Sequence, residues 1–396
     1  MKLKPFLSIL ISGVIFIIFV LMPSSWFTGL VTNKTLANNR LASTDQVLKG
    51  TLIQNKLFKS NDYYPIYGSS ELNKEDPFNP GIALNGRKGT KPAYLLGTGG
   101  STDLINAVEL AAQYDQLKGK KISLIISPQW FTDHGLTNKN YDGRMSANQI
   151  DQLFKQSKMP AELKQRYAKR LLQFKHAKNK AFLKQLAKHP DQDHGNYISQ
   201  FKGEQIKKIE AIKLYFGFDK SPLSHVEPVT SPNASWNEMN RKATKIAIDH
   251  SKSNKYGIKD EYWKLIKENR RKVRRDWEFN INSPEFNDLK LLVDTMREAG
   301  ADVQYVSIPA NGKWYDHIGI PHERRQPVYN KIRETVINNG GQLYDMTDKE
   351  YAKHYITDAV HIGWKGWVDM DRQIDKHMRA PYKAPHKPHH DDQDHQ

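Results

Sequence analysis

The chain has 396 residues, enough for one large domain or two ordinary ones, and its mean hydropathy of −0.71 describes a folded but polar protein. With 60 Lys and Arg against 43 Asp and Glu it carries a formal charge of +17, a field that suits a polyanionic partner such as nucleic acid, anionic lipid or a phosphate-rich polymer. There is no cysteine, which excludes disulfides, thiolate catalysis and Cys-ligated zinc.

Near the N-terminus Lys2 and Lys4 precede an uncharged apolar run from Phe6 to Met22. At roughly 17 residues it exceeds a usual signal-peptide core and reaches the lower limit of a membrane span. Trp26 and Phe27 follow, where interfacial aromatics belong. The reading is an uncleaved signal anchor within residues 1–30, with a cytoplasmic N-terminus and an extracellular catalytic domain over 31–380. A cleaved signal peptide ending at Thr35-Leu36-Ala37 is the alternative. A membrane-anchored, exported chain makes nucleic acid the wrong polyanion.

After a polar approach with an amphipathic stretch at Asp45–Leu57, the chain reads as alternating strands and helices. Tyr63–Tyr67 is a first strand, running into Gly68-Ser69-Ser70-Glu71-Leu72. Pro92–Leu96 is a second, ending at Gly97-Thr98-Gly99-Gly100-Ser101-Thr102-Asp103. Leu104, Ala107, Val108, Leu110 and Ala111 then recur at helical spacing, with Ser101 or Thr102 as cap. Lys121–Ser127 is a third strand, apolar enough to be buried on both faces, and it stops at Pro128-Gln129-Trp130-Phe131. This order predicts an α/β protein: a three-layer α/β/α fold with right-handed crossovers around a central parallel sheet.

From about residue 146 to 282 the pattern turns helical and basic, at Ala161–Phe174, Gln205–Phe216 and Asp260–Arg275, and predicts a helical insertion. Its densest basic run, from Arg270 to Arg275, is either a solvated helix face or an anionic-polymer contact. Ser283–Ala299 is a helix with Ser283 as cap and Pro284 at its first position. Asp302–Ile308 is a fourth strand, Arg324–Asn338 a helix closed by Gly340-Gly341, and Gln342–Met346 a fifth strand. Residues 381–396 read as a disordered tail rich in His and Asp, in which no functional metal site is expected.

The chemistry collects at the strand ends, where open α/β sheets bind their ligands. Thr357-Asp358-Ala359-Val360-His361 sets a carboxylate three residues before an imidazole, so one turn can hold both on the same side. Asp358 can then accept the His361 Nδ1–H, which fixes the tautomer and leaves Nε2 free to take a hydroxyl proton. Ser70 is the candidate nucleophile, exposed by a tight turn after small residues. The Ser70 amide, the Gly99 or Gly100 amide and the Gln129 side chain are the candidate oxyanion donors. The bland readings are a simple turn at 68–70, a phosphate nest at Gly97–Gly100 that lacks a P-loop lysine, and a helix-cap role for Asp358. Trp130, Trp364 and Trp367 are candidates to wall off water, or ordinary core and rim aromatics.

A serine after the first strand, a glycine after the second, an amide after the third and Asp-x-x-His at the end resemble the SGNH (GDSL-like) hydrolases. Here Gly68-Ser69-Ser70 stands in for Gly-Asp-Ser, and Gln129 stands where that group usually has Asn. The anchor together with YGSSEL, GTGGSTD, SPQWF and ITDAVHIGWKGW is similar, more closely, to the DltD family of D-alanyl-lipoteichoic acid biosynthesis. The resemblance implies an extracellular serine acyl-transfer enzyme with no cofactor that moves D-alanyl groups onto lipoteichoic acid through a Ser70 acyl-enzyme. It implies work beside the membrane O-acyltransferase DltB and, indirectly, the D-alanyl carrier protein DltC and its ligase DltA. A thioesterase or esterase acting on D-alanyl carrier or D-alanyl esters, and a non-catalytic scaffold of the D-alanylation machinery, remain as alternatives.

Overall fold

The computed structural model describes residues 3–41, 43–191, 197–217, 221–268 and 274–386. Most of the basic run at 270–275, and residues 387–396 of the C-terminal tail, lie outside the described residues. Five parallel strands form one sheet in the order β2-β1-β3-β4-β5. They are β1 Tyr64–Gly68, β2 Ala93–Gly97, β3 Lys121–Ile126, β4 Asp302–Ser307 and β5 Gln342–Asp345. Each lies within a residue of its predicted position.

The period-2 alternation of these strands divides the core into two. Tyr67, Tyr94, Leu96, Leu124 and Tyr305 face one side, where they pack with the helices Asp103–Ala111, Glu285–Ala299 and His322–Asn338. Tyr64, Ile66, Leu95, Ile125 and Val306 face the other, against the helix Trp364–Arg379 and the helix Trp236–His250. Both faces are covered, so the strands carry apolar residues in continuous runs, as parallel strands do. The chain moves outward from β1 to β2 and then crosses back to place β3 on the other side of β1. The gap between β1 and β3 is therefore the topological switch point, where an open sheet leaves a crevice at its carboxyl edge.

The helical stretch between β3 and β4 is no separate lobe. Tyr167, on the helix Ala161–Leu171, donates its hydroxyl hydrogen to the Ala107 carbonyl at 3.1 Å. Arg170 on the same helix grips Asp288 through two bonds of 2.6 and 2.8 Å. Leu163, Tyr167 and Leu171 belong to the same buried cluster as the strands. The amphipathic stretch at 45–57 is two helices, Asp45–Leu48 and Leu52–Ser60, rather than one. The break falls at Gly50, where a Cβ would collide with the Gln46 carbonyl and the Glu210 carboxylate.

The predicted anchor forms a helix, α1, over Leu3–Leu21. Its side chains are described from Leu7 onward, a length of about 22 Å at 1.5 Å per residue. Among the described residues no helix is long and apolar enough to cross a membrane.

Candidate active site

β1 and β2 end side by side on Gly68 and Gly97, paired in register. A Cβ on Gly97 would run into the Gly68 main chain, and one on Gly68 into the Glu71 carboxylate. Glycine at both positions lets the two loops that follow approach each other. Ser69 then takes φ −124° and ψ −137°, and Ser70 opens a short 3-10 helix over Ser70–Asn73. That turn brings Ser70 up to the loop after β5: Ser70 Oγ lies 2.7 Å from His361 Nε2.

His361 Nδ1 lies 2.7 Å from Asp358 Oδ2. The other oxygen of Asp358 accepts the main-chain N–H of Val360 and of His361, both at 2.9 Å. The carboxylate thus closes the turn and orients the ring at once. Burial alone would raise its pKa, but the hydrogen bond and charge of His361, with the two amides, hold it down at about 2. With Asp358 anionic and accepting from Nδ1–H, His361 carries its proton on Nδ1, and Nε2 faces the Ser70 hydroxyl as an acceptor.

The elbow rests on a group that sequence reasoning passed over. Glu71 is fully buried, accepts the Ser69 N–H at 2.6 Å and takes the Ser127 hydroxyl at 3.1 Å. It ties the end of β1 to the end of β3 directly beneath Ser70. Burial pushes its pKa up, against the opposing pull of the Ser69 amide, His361 and Ser127. A carboxylate next to a candidate nucleophile leaves no periodic signal, so only its burial reveals it. Trp130 adds a second tie, its indole N–H donating to Ser69 Oγ at 3.1 Å. Ser69 in turn donates to the Thr98 carbonyl at 3.3 Å, linking the loops after β1, β2 and β3.

Of the predicted oxyanion donors, Gly99 lies beside Ser70 and Gln129 lines the same cleft. A Cβ on Gly99 would sit 3.7 Å from Ser70 Cβ. The Gly99 carbonyl accepts Arg144 Nε–H at 2.7 Å, which turns the Gly100 N–H to the opposite side of that trans peptide. Gly100 has φ +87°, a conformation that glycine adopts without strain. Among the described residues the main-chain N–H groups of Ser70, Gly99 and Gly100 donate to no protein acceptor. Gln129 lines the same cleft, and its side-chain oxygen is buried with no partner.

Of the three tryptophans, Trp130 lines the cleft. Trp364 and Trp367 do not wall it: both are buried in the cluster on the far face of the sheet.

The cleft holds about 510 Å³ and is lined by Ser70, His361, His134, Asn140 and Arg275 among others. Arg275 pairs with Glu278 at 2.8 Å, and Glu278 also accepts the Tyr315 hydroxyl at 2.6 Å. Burial would lower the Arg275 pKa, but Glu278 and Tyr315 raise it above its ordinary value. A partly buried Arg275–Glu278 ion pair therefore stands in the cleft. Among the described residues no cluster of His, Cys, Asp and Glu could hold a metal ion.

A serine hydroxyl, an imidazole and a carboxylate aligned at the switch point of a doubly wound α/β domain form an arrangement that can carry out acyl chemistry by general-base activation. The chain is a member of the DltD family, whose model matches residues 40–379 under the description "DltD protein". It is 68% identical to Protein DltD of Staphylococcus aureus (strain NCTC 8325 / PS 47) over 380 residues, 96% of this chain and 97% of that one. It is 33% identical to Protein DltD of Bacillus subtilis (strain 168) over 387 residues, 96% and 98% of the two chains. Protein DltD of Lacticaseibacillus rhamnosus is 25% identical over 371 residues, 90% and 87% of the two chains.

Proposed function

We propose that this protein is an extracellular, membrane-anchored serine acyl-transfer enzyme that moves D-alanyl groups onto lipoteichoic acid through an acyl-enzyme on Ser70. The observation that carries the reading is the line Ser70 Oγ–His361 Nε2–His361 Nδ1–Asp358 Oδ2, with both contacts at 2.7 Å. Ser70 attacks the D-alanyl carbonyl while His361 Nε2 takes its proton. The tetrahedral oxyanion is met by N–H groups of Ser70 and Gly99 or Gly100, with the Gln129 amide alongside. Collapse expels the donor's leaving group, which takes the proton from His361. A hydroxyl of the acceptor polymer then gives its proton to His361 and attacks the ester, and Ser70 regains its hydrogen.

The net charge of +17 favours a poly(phosphodiester) acceptor. Over its full 19 residues α1 is about 28 Å long, close to the roughly 30 Å of a bilayer core. That length supports a single-pass anchor, and Lys2 and Lys4 ahead of the apolar run favour a cytoplasmic N-terminus with the catalytic domain outside. From that side the protein works with the membrane O-acyltransferase DltB, and with the cytoplasmic carrier DltC only indirectly.

A second reading is a thioesterase or esterase that releases D-alanine to water. Its support is that Ser70 and His361 are only partly buried, so water reaches the acyl-enzyme. Incubation of the full-length chain with an activated D-alanyl thioester, with and without lipoteichoic acid, separates these. Transfer predicts a D-alanyl adduct on Ser70 that is discharged onto the polymer; hydrolysis predicts free D-alanine in both arms. No adduct, together with unchanged D-alanyl ester in cells carrying Ser70→Ala at normal protein level, would overturn catalysis in favour of a scaffold.

A further inference from the structure

The helix Tyr197–Phe216 buries charge and shows apolar bulk. Beside Ala211 and Leu214, which join the apolar core, its buried positions include two charged side chains. Lys208 is 1% exposed and donates to the main-chain carbonyls of Phe19 and Val20, each at 2.9 Å. Glu210, also buried, accepts the Leu52 N–H at 2.7 Å. The outward side carries apolar bulk: Phe201 is 54% exposed, Ile209 46% and Ile206 39%. Lys202 and Lys213 stand exposed among them. At 100° per residue these five positions share a sector of about 140°. A helix on a purely water-facing domain shows the reverse arrangement.

Its position says what covers that face. Phe19 and Val20 lie in the last turn of α1, whose final carbonyls have no partners within the helix. Lys208 supplies those partners, and its charge suits the negative end of the helix dipole. The middle of the helix Tyr197–Phe216 is thereby held at the level where α1 ends. The short helix Ser24–Thr28 packs against it as well and shows Trp26, 67% exposed, an aromatic suited to the membrane interface.

We infer that the outer face of the helix Tyr197–Phe216 lies on the membrane surface as an interfacial helix. Phe201, Ile206 and Ile209 enter the headgroup region, and Lys202 and Lys213 meet anionic headgroups. The inference rests on reading α1 as a membrane anchor. One anchor alone leaves the domain free to swing; a second contact fixes the tilt of the domain, and with it the height of the Ser70 cleft above the bilayer.

Because the chain has no cysteine, a single introduced one gives a unique labelling site. The full-length protein is reconstituted into vesicles of phosphatidylglycerol and phosphatidylethanolamine, with an environment-sensitive fluorophore at Ile209→Cys, Phe201→Cys, Ile15→Cys or Ile248→Cys. Ile15 lies in α1, and Ile248 is an exposed position on the helix Trp236–His250. The expected result is blue-shifted emission, and quenching by nitroxide-bearing lipid, at 15, 201 and 209 but not at 248. Quenching at 15 with water-like emission at 201 and 209 would overturn the inference, leave the anchor standing and assign the apolar face to a protein partner. Water-like emission at all four positions would sink the anchor reading together with it.

Discussion

Replacing Asp358 by Asn keeps the size of the side chain and removes its charge and half of its accepting capacity. The Asn oxygen can still take the Val360 and His361 amides, now at 2.9 Å. Its NH₂ group then faces His361 Nδ1, which must give up its proton and accept. The proton moves to Nε2, where it opposes the Ser70 hydroxyl instead of receiving from it. An Asp→Asn change of this kind in a serine-protease triad lowers turnover by about 10⁴-fold, about 5.5 kcal/mol of barrier. The same loss is expected here in the rate of Ser70 acylation, measured as burst amplitude and rate with an activated D-alanyl ester. Stability gives a second readout. A folded pKa of about 2 against about 3.9 unfolded makes the charge worth about 2–3 kcal/mol. Because the folded pKa is depressed, that contribution is present above pH 4 and is lost as pH falls toward 2. Urea unfolding at pH 7 should show the deficit in Asp358→Asn, and the deficit should vanish near pH 2. A folded variant that retains acylation within tenfold of the parent would refute the orienting role.

Glu71→Ala leaves the Ser69 amide and the Ser127 hydroxyl without their acceptor, at about 1–3 kcal/mol for each buried group. With the elbow loosened, acylation should fall on the order of 10²-fold; Glu71→Gln, which keeps one acceptor oxygen, should recover most of the stability, as thermal unfolding and burst kinetics will show. Asp371 is buried with neither oxygen hydrogen-bonded among the described residues, and burial, with Asp76 nearby, pushes its pKa well above the usual range. Asp76 is itself pushed up to about 6, chiefly by burial. Both are acids whose folded pKa is raised, so stability is full below about pH 4, where the unfolded chain is protonated too. It declines as pH rises through 6 and beyond. Asp371→Asn should therefore raise the melting temperature at pH 8 more than at pH 5; an equal effect at both would contradict the protonated assignment. Arg275→Gln removes the cation that balances Glu278 in the cleft. It should weaken binding of lipoteichoic acid and flatten the salt dependence by about one charge, read as affinity for the immobilised polymer across a salt series.

The strands were legible because burial on both faces demands continuous apolar runs, and those runs stand between glycine- and proline-rich breaks. The parallel order followed from the helical stretch between them. Asp358 and His361 were legible for a local reason: three residues of separation suffice to join them in one turn. Ser70 was legible through its place at a strand end. The role of Glu71 was not, because it depends on where the end of β3 comes to lie beneath the elbow, and no residue near 71 encodes that. For Trp364 and Trp367 the structure selects the second of the two readings, core aromatics. They follow the Asp–His turn closely in sequence, yet the helix they begin turns away and buries them on the opposite face of the sheet. The charge of the helical stretch was plain from composition, but which side of each helix meets solvent was not. The helix Tyr197–Phe216 hides its Lys208 and Glu210 and shows Phe201 and Ile209 because its partners are α1 and the Thr51–Leu52 turn. Sequence alone determined the periodicities and the candidate residues for the chemistry, since these rest on local geometry. Tertiary structure decided which strand ends meet, what supports the candidate nucleophile and which helix face is left uncovered, since these rest on contacts between segments far apart in the chain.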